Sequence, residues 1–372
     1  MNVWRSTWGS YMIRASLIRV LSSLCRYRLF SLMYDSFANV VFNIRQLNVN
    51  SNTQRIKEPP FPIDVVITWV DSNDVSWRKK LHEFSAIPEP QRGVYDSKSE
   101  ERFDSNDELK YLLRSIAKYA SWVRKIYLVT DNQKPNWLKD SDKIKVVDHR
   151  DIFLDNTFLP SFNSHAIESN LHRIPGLSEN FLYMNDDFLF SDYVSYESFF
   201  TEDGSKTKFC KSASARVADS INDCVASVDF AAYNNKAFMR KNYLDNVDFK
   251  LKHTPMALKK SVIKLFEHNH ENVVRLNSSN RFRSQSDYSL LSSLIHYYGE
   301  YNGTAVSSDL RYLYVSLLDP LFAIKINFLK LKGFPCCCTN DVPGDRDLRK
   351  RNIELYHKTM LKIFPEKSSC EK

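Results

Sequence analysis

The chain has 372 residues, 43% of them apolar, and a formal net charge of +8 at pH 7. That length and apolar content make it globular, with core enough for one large or two modest domains, and exclude a disordered chain. The positive balance suits a phosphate-bearing or anionic membrane partner without choosing between them.

Residues 1–60 differ from the rest. The stretch SLIRVLSSLCRYRLFSLMYDSFANVVFNIRQL mixes apolar residues and arginines at roughly helical intervals, and no uncharged run there approaches the ~18 residues needed to cross a bilayer. Up to Lys57 the charges are Arg5, Arg14, Arg19, Arg26, Arg28, Arg45, Arg55 and Lys57 against Asp35. The pattern fits an amphipathic helix on anionic lipid, or equally a helix pair packed on the main domain. Arginines interrupt every apolar core a cleavable signal peptide would need. The expected location is therefore cytoplasmic, peripheral on the inner face of the membrane. NSNTQRIKEPPFP, with its prolines and polar residues, reads as a linker.

Strand and helix signals then alternate, which predicts an α/β core over 61–348. IDVVITWV (63–70) is a β-branched strand followed by Asp71 and Asp74. NDELKYLLRSIAKYA predicts a helix with Asp107 and Glu108 in its first turn and Leu109, Leu112, Leu113 and Ile116 on one face. KIYLVT (125–130) and KIKVVD (143–148) are short strands with polar ends. In an open parallel sheet the carboxyl edge is the ligand edge, so Asp71, Asp74, Asp131, Asp148, Asp186 and Asp187 are placed along one crevice. Any one of them alone is better explained as a solvated loop carboxylate; the pair Asp186 and Asp187 is the exception.

LPSFNSHAIESNLHRIPGL predicts a short helix capped by Asn163 or Ser164 and ending near Pro175. His165, Glu168 and His172 fall at i, i+3 and i+7, either a cluster facing the crevice or a solvated polar face. FLYMNDDFLF (181–190) reads as a buried strand interrupted by Asn185, Asp186 and Asp187. Two adjacent carboxylates are costly there unless they serve a ligand, and paired aspartates at a strand end suit Mg2+ or Mn2+ against a diphosphate.

KHTPMALKKSVIKLFEHNHENVVRL places Thr254 as N-cap and Pro255 at the first helical position, which puts His253 beside a helix N-terminus where anions bind. Arg283 precedes a helix carrying Leu290, Leu291, Leu294 and Ile295; its fork matches a diphosphate, or it pairs with Asp287 one turn on. Cys25, Cys210, Cys224, Cys336 to Cys338 and Cys370 lack the paired spacing of a zinc site, which indicates a reducing compartment. Residues 349–372 read as a C-terminal helix and tail. Aromatic residues sit in core-like runs rather than interleaved with basic ones, which argues against nucleic acid.

IDVVITWVDSNDVSW, RFDSNDELKYLLRSIAKYASWVRKIYLVTDNQKPNWL, LPSFNSHAIESNLHRIPGLSENFLYMNDDFLF, HTPMALKK and CTNDVPGD, in that order, resemble the conserved regions of the Stealth family, over roughly three quarters of the chain. The resemblance implies a Rossmann-like, GT-A-like nucleotide-sugar-binding core with added helices. It also implies transfer of a hexose 1-phosphate from a UDP-sugar, UDP-N-acetylglucosamine first and UDP-N-acetylmannosamine next, to a glycan hydroxyl. The family's functional positions fall on Glu168, Asp187, His253 and Arg283. Arg283 is assigned to the diphosphate and His253 to the phosphoryl oxygens or leaving group. Asp187, supported by Asp186, is assigned to the metal or acceptor base, and Glu168 to acceptor or metal. Asp71 and Asp74 are assigned to nucleotide or sugar contacts. Asn163, His165, His172, Arg173, Asn185 and Asp287 complete the substrate pocket, and Asn340 and Asp341 mark the last region. The eukaryotic relative carries long cysteine-rich insertions where residues 200–250 are short here, so the implied role is a bacterial capsule polymerase. Its partners would be a growing capsule oligosaccharide and the assembly and export machinery. A metal-dependent glycosyltransferase releasing UDP is the alternative.

Overall fold

The computed structural model describes residues 57–86, 103, 105–243, 247–330, 334–341 and 344–372. The expected amphipathic N-terminal segment therefore lies outside the described residues, apart from 57–60. In chain order the strands are β1 (Ile63–Thr68), β2 (Ile126–Thr130), β3 (Ile144–Asp148), β4 (Asn180–Asn185), β5 (Phe188–Phe190), β6 (Thr207–Arg216), β7 (Phe249–Leu251), β8 (Met256–Lys259), β9 (Ala305–Ser308), β10 (Tyr312–Ser316) and β11 (Cys336–Asn340).

The main sheet runs β3-β2-β1-β4-β8. All neighbours are parallel except β8, which is antiparallel to β4. This is the expected Rossmann-like α/β arrangement. Both faces are covered, and β1 supplies both by simple alternation. Ile63, Val65 and Ile67 pack with Leu109, Leu112, Leu113 and Ile116 of helix Glu108–Tyr119. Val66 faces the other side, with Val129, Ile263 and Leu291. Full burial of each such side chain stabilises the fold by roughly 1.5–3 kcal/mol.

Two sequence expectations are corrected here. Residues 181–190 are not one strand: β4 ends at Asn185, the chain turns at Asp186 and Asp187, and β5 leaves the main sheet to pair antiparallel with β11. The turn keeps both carboxylates out of the sheet interior. The segment after Thr254 and Pro255 is not the start of a helix either. Met256, Ala257 and Leu258 are buried and pair with Tyr183, Leu182 and Phe181, satisfying the backbone groups on the open side of β4. The helix begins only at Lys260 and runs to Asn269.

β11 lies between β10, to which it is parallel, and β5. A third sheet has the order β7-β6-β9. The expected C-terminal helix runs from Arg346 to Ile363, capped by Asp345. Every described cysteine is a free thiol. Among the described residues no helix is long and apolar enough to cross a membrane.

Candidate active site

A cavity of about 640 Å³ opens at the carboxyl edge of the main sheet, where Thr68, Trp69, Asp131 and Asn185 follow or end strands β1, β2 and β4. Asp186, Asp187, Glu168, His253 and Arg283 line the same cavity, as do Asn340 and Asp341 beyond β11. Residues from position 68 to position 341 are thus brought to one crevice by the fold.

At its floor is the Asp186–Asp187 turn. Burial, then the carboxylates of Glu108 and Asp187, push the Asp186 pKa well above the usual range. Burial raises Asp187 to about 6, against a lowering hydrogen bond from Cys338. Protein encloses both side chains on most sides and leaves each a partly exposed surface toward the cavity. Glu108, 7% exposed, is raised to about 7, chiefly by burial.

Tyr183 is the hub of the β4 wall. Its hydroxyl is 2.8 Å from Asn185 Oδ1, 3.2 Å from Thr68 Oγ1 and 3.4 Å from Glu168 Oε1. Burial and the Glu168 carboxylate keep it protonated, and its single proton serves the nearest acceptor, Asn185. Glu168 is 3% exposed and its Oε2 accepts from the Ser292 hydroxyl at 2.8 Å and amide at 3.2 Å. Its second oxygen is therefore the one on the cavity's tyrosine side. Arg283 donates from Nη2 to Ser164 Oγ at 2.8 Å and from Nη1 to Ser227 Oγ at 3.1 Å, which fixes its fork in the cavity wall. His253 has an exposed ring surface and lies 5.4 Å from the Tyr314 ring. Crowding by the wall, then the Lys250 ammonium, lowers its pKa, so the imidazole is neutral near pH 7. Lys250, paired with Asp229 at 2.5 Å, and Lys252 add positive charge to the lining.

The donors present suit a hard cation. Asp187 Oδ1 and Asn340 Oδ1 are buried oxygens without a hydrogen-bond partner, and Asp186 lines the same floor. Among the described residues no group of three or more His, Cys, Asp or Glu is arranged to hold a metal. Magnesium commonly takes one or two carboxylates and completes its shell with water and substrate phosphates, which fits this sparse set.

Other predicted site residues are placed elsewhere. Asp74 caps helix Val75–Ser85 and Asp71 accepts from the Asn73 amide at 2.8 Å, so both hold the turn after β1 and neither lines the cavity. Asp148 caps a short 3-10 turn. The i, i+3, i+7 face does not form, because the helix stops at Glu168. His165 lines the cavity but turns to Asp287, while His172 Nε2 meets Glu267 at 2.9 Å and Arg173 also pairs with Glu267, away from the crevice. Asn163 caps the helix Ser164–Glu168, its Oδ1 accepting from the His165 amide at 3.1 Å, and Asp287 is fully buried behind them. Sequence reasoning missed Tyr183, Ser292 and Lys250 as lining residues and took Glu108 for a helix-dipole residue. Only the last carried a signal, a carboxylate next to Leu109 on the apolar face of its helix.

Three family models match: Stealth protein conserved region 1 at residues 61–87, conserved region 2 at 102–208 and conserved region 3 at 252–300. An exopolysaccharide phosphotransferase of Streptomyces coelicolor is 40% identical over 84% of this chain and 53% of its own length. Capsular polysaccharide phosphotransferases of Actinobacillus pleuropneumoniae and Actinobacillus suis are 35% and 34% identical, over 69% and 83% of this chain and 71% and 83% of their own. The chain spans about half the length of the Streptomyces relative. A solved galactosyltransferase, LgtC with donor and acceptor sugar analogs, aligns over 80% of this chain and 95% of its own at a TM-score of 0.38 and 10% identity, too distant to carry an argument. With its conserved regions in order and a relative matched along most of both chains, the protein belongs to the Stealth family.

Proposed function

We propose that this chain transfers an N-acetylhexosamine 1-phosphate from a UDP-sugar to a glycan hydroxyl, building phosphodiester linkages and releasing UMP. The observation that supports it most is the convergence of Glu168, Asp187, His253 and Arg283, distant in sequence, on one cavity. The names of the relatives as phosphotransferases point the same way.

In the reaction the acceptor oxygen bonds to the β-phosphorus, the bond from that phosphorus to the bridging oxygen breaks, and UMP departs with that oxygen. Arg283 spans two phosphoryl oxygens with its fork and offsets their growing charge. Asp187, whose Oδ1 has no hydrogen-bond partner among the described residues, takes the hydroxyl proton. Glu168, locked by Ser292, orients the acceptor, and neutral His253 donates its N–H to the phosphoryl or leaving oxygen. A divalent cation held by Asp186, Asp187 and Asn340 would supply charge neutralisation at the diphosphate. Lys250 and Lys252 add positive charge to the lining, complementary to the anionic donor.

The test is to incubate the protein with UDP-N-acetylglucosamine, magnesium and a capsule-type oligosaccharide and to separate the nucleotides. UMP together with a phosphodiester phosphorus signal is expected. UDP would mean attack at the anomeric carbon and a glycosyltransferase instead. UDP-N-acetylmannosamine is the second donor to try.

A further inference from the structure

The cysteine run Cys336–Cys338 forms the first three residues of β11, all three buried at 0–1% exposure. Packing alone would account for small apolar side chains here. Cys338 does more than fill space, because its Sγ lies 3.4 Å from Asp187 Oδ2. In register it stands between Tyr314 of β10 and Phe188 of β5. Tyr314 is the ring beside His253, and Phe188 directly follows Asp187. The next residue, Thr339, donates its amide to the Asp187 carbonyl at 3.0 Å and its hydroxyl to the same oxygen at 3.3 Å. One strand therefore grips Asp187 by both backbone and side chain.

We propose that Cys338 is a positioning residue for Asp187: its thiol donates to Oδ2, fixes the carboxylate rotamer and leaves Oδ1 as the oxygen for a cation or an acceptor proton. Oδ1 is the atom that has no protein partner. A thiol is a weak donor, so it orients the carboxylate while withdrawing little of its charge. Serine can make the same bond and alanine cannot.

The proposal rests on the phosphotransferase reading only for its catalytic readout; the binding readout stands apart. Cys338→Ser and Cys338→Ala are compared in the full chain. For Cys338→Ala we expect kcat to fall about tenfold or more with the UDP-sugar KM within about threefold, and for Cys338→Ser kcat within about threefold of the parent. Manganese affinity, read from the paramagnetic signal of free Mn2+ without any substrate, is expected to weaken several-fold in the alanine variant and recover in the serine variant. Equal manganese affinity and equal kcat in the two variants, at matched thermal stability, would overturn the assignment. If the parent makes no UMP, the transfer reading fails, and the manganese comparison alone decides the role of Cys338.

Discussion

Asp287 Oδ2 lies 3.2 Å from His165 Nδ1, a contact between two side chains that are almost wholly enclosed. The same carboxylate accepts from Asn163 Nδ2 at 3.0 Å, the Ser284 amide at 3.0 Å and Asn280 Nδ2 at 2.7 Å. It ties the helix that carries Glu168 to the loop that carries Arg283. Replacing it leaves these donors buried without an acceptor, so Asp287→Ala is expected to lose about 3–5 kcal/mol in urea unfolding, a loss of fold rather than a selective loss of turnover.

For Asp187→Ala and Arg283→Ala, by contrast, stability is expected to hold within about 1 kcal/mol while UMP release falls by ~10²–10⁴. Arg283→Lys keeps the charge and loses the fork, and should recover only part of the activity. Turnover of the parent kind in Asp187→Ala would remove that residue from the chemistry.

Glu108 gives a pH signature. Its native pKa of about 7 lies above the unfolded value of 4.5, so the native state holds the extra proton. Its contribution is fully present below pH 4.5 and is lost as pH rises through 7, amounting to on the order of 3 kcal/mol. Unfolding of the parent and of Glu108→Gln, measured without divalent cations, should therefore diverge across that window, with the glutamine variant the more stable at pH 8. A difference that does not vary with pH would contradict the buried acid.

His296 acts in the opposite sense. It is 1% exposed, stacked on Phe209 at 5.6 Å, and burial pushes its pKa down to about 4 from 6.5. Stability from the neutral ring is fully present above pH 6.5 and is lost as pH falls toward 4. His296→Phe is expected to flatten the acid limb of the stability curve, measured by urea midpoints between pH 4 and 7.

Charged-lipid binding tests the N-terminal reading. Deleting residues 1–56, which carry seven arginines, should abolish co-sedimentation with phosphatidylglycerol vesicles at low salt and leave UMP release from soluble donor in place. Equal sedimentation of both chains would favour a packed helix pair.

The legible parts of the fold were those with strong local periodicity. β1, β2, β3 and helix Glu108–Tyr119 follow their apolar patterns closely. β8 was hidden because Thr254 and Pro255 form a good helix-start signal, whereas the unpaired side of β4 decides the outcome from some 70 residues away. Local spacing likewise suggested a single face for His165, Glu168 and His172, which a short helix cannot supply. Asp71 and Asp74 follow a strand just as Asp186 and Asp187 do, and only the course of the turn separates a cap from a cavity residue. Tyr183 gave no warning, since it sits inside a run that reads as plain core, and Cys338 was marked only as the first residue of CTNDVPGD, without a role.

The bond between Asp187 and Cys338 joins positions 151 residues apart. A chain growing from its N-terminus can lay down β1 to β4 long before β11 exists, so the nascent protein would pass through a stage with the parallel strands in place and Asp187 still unanchored. Anchoring of that carboxylate therefore waits until β11 has been made.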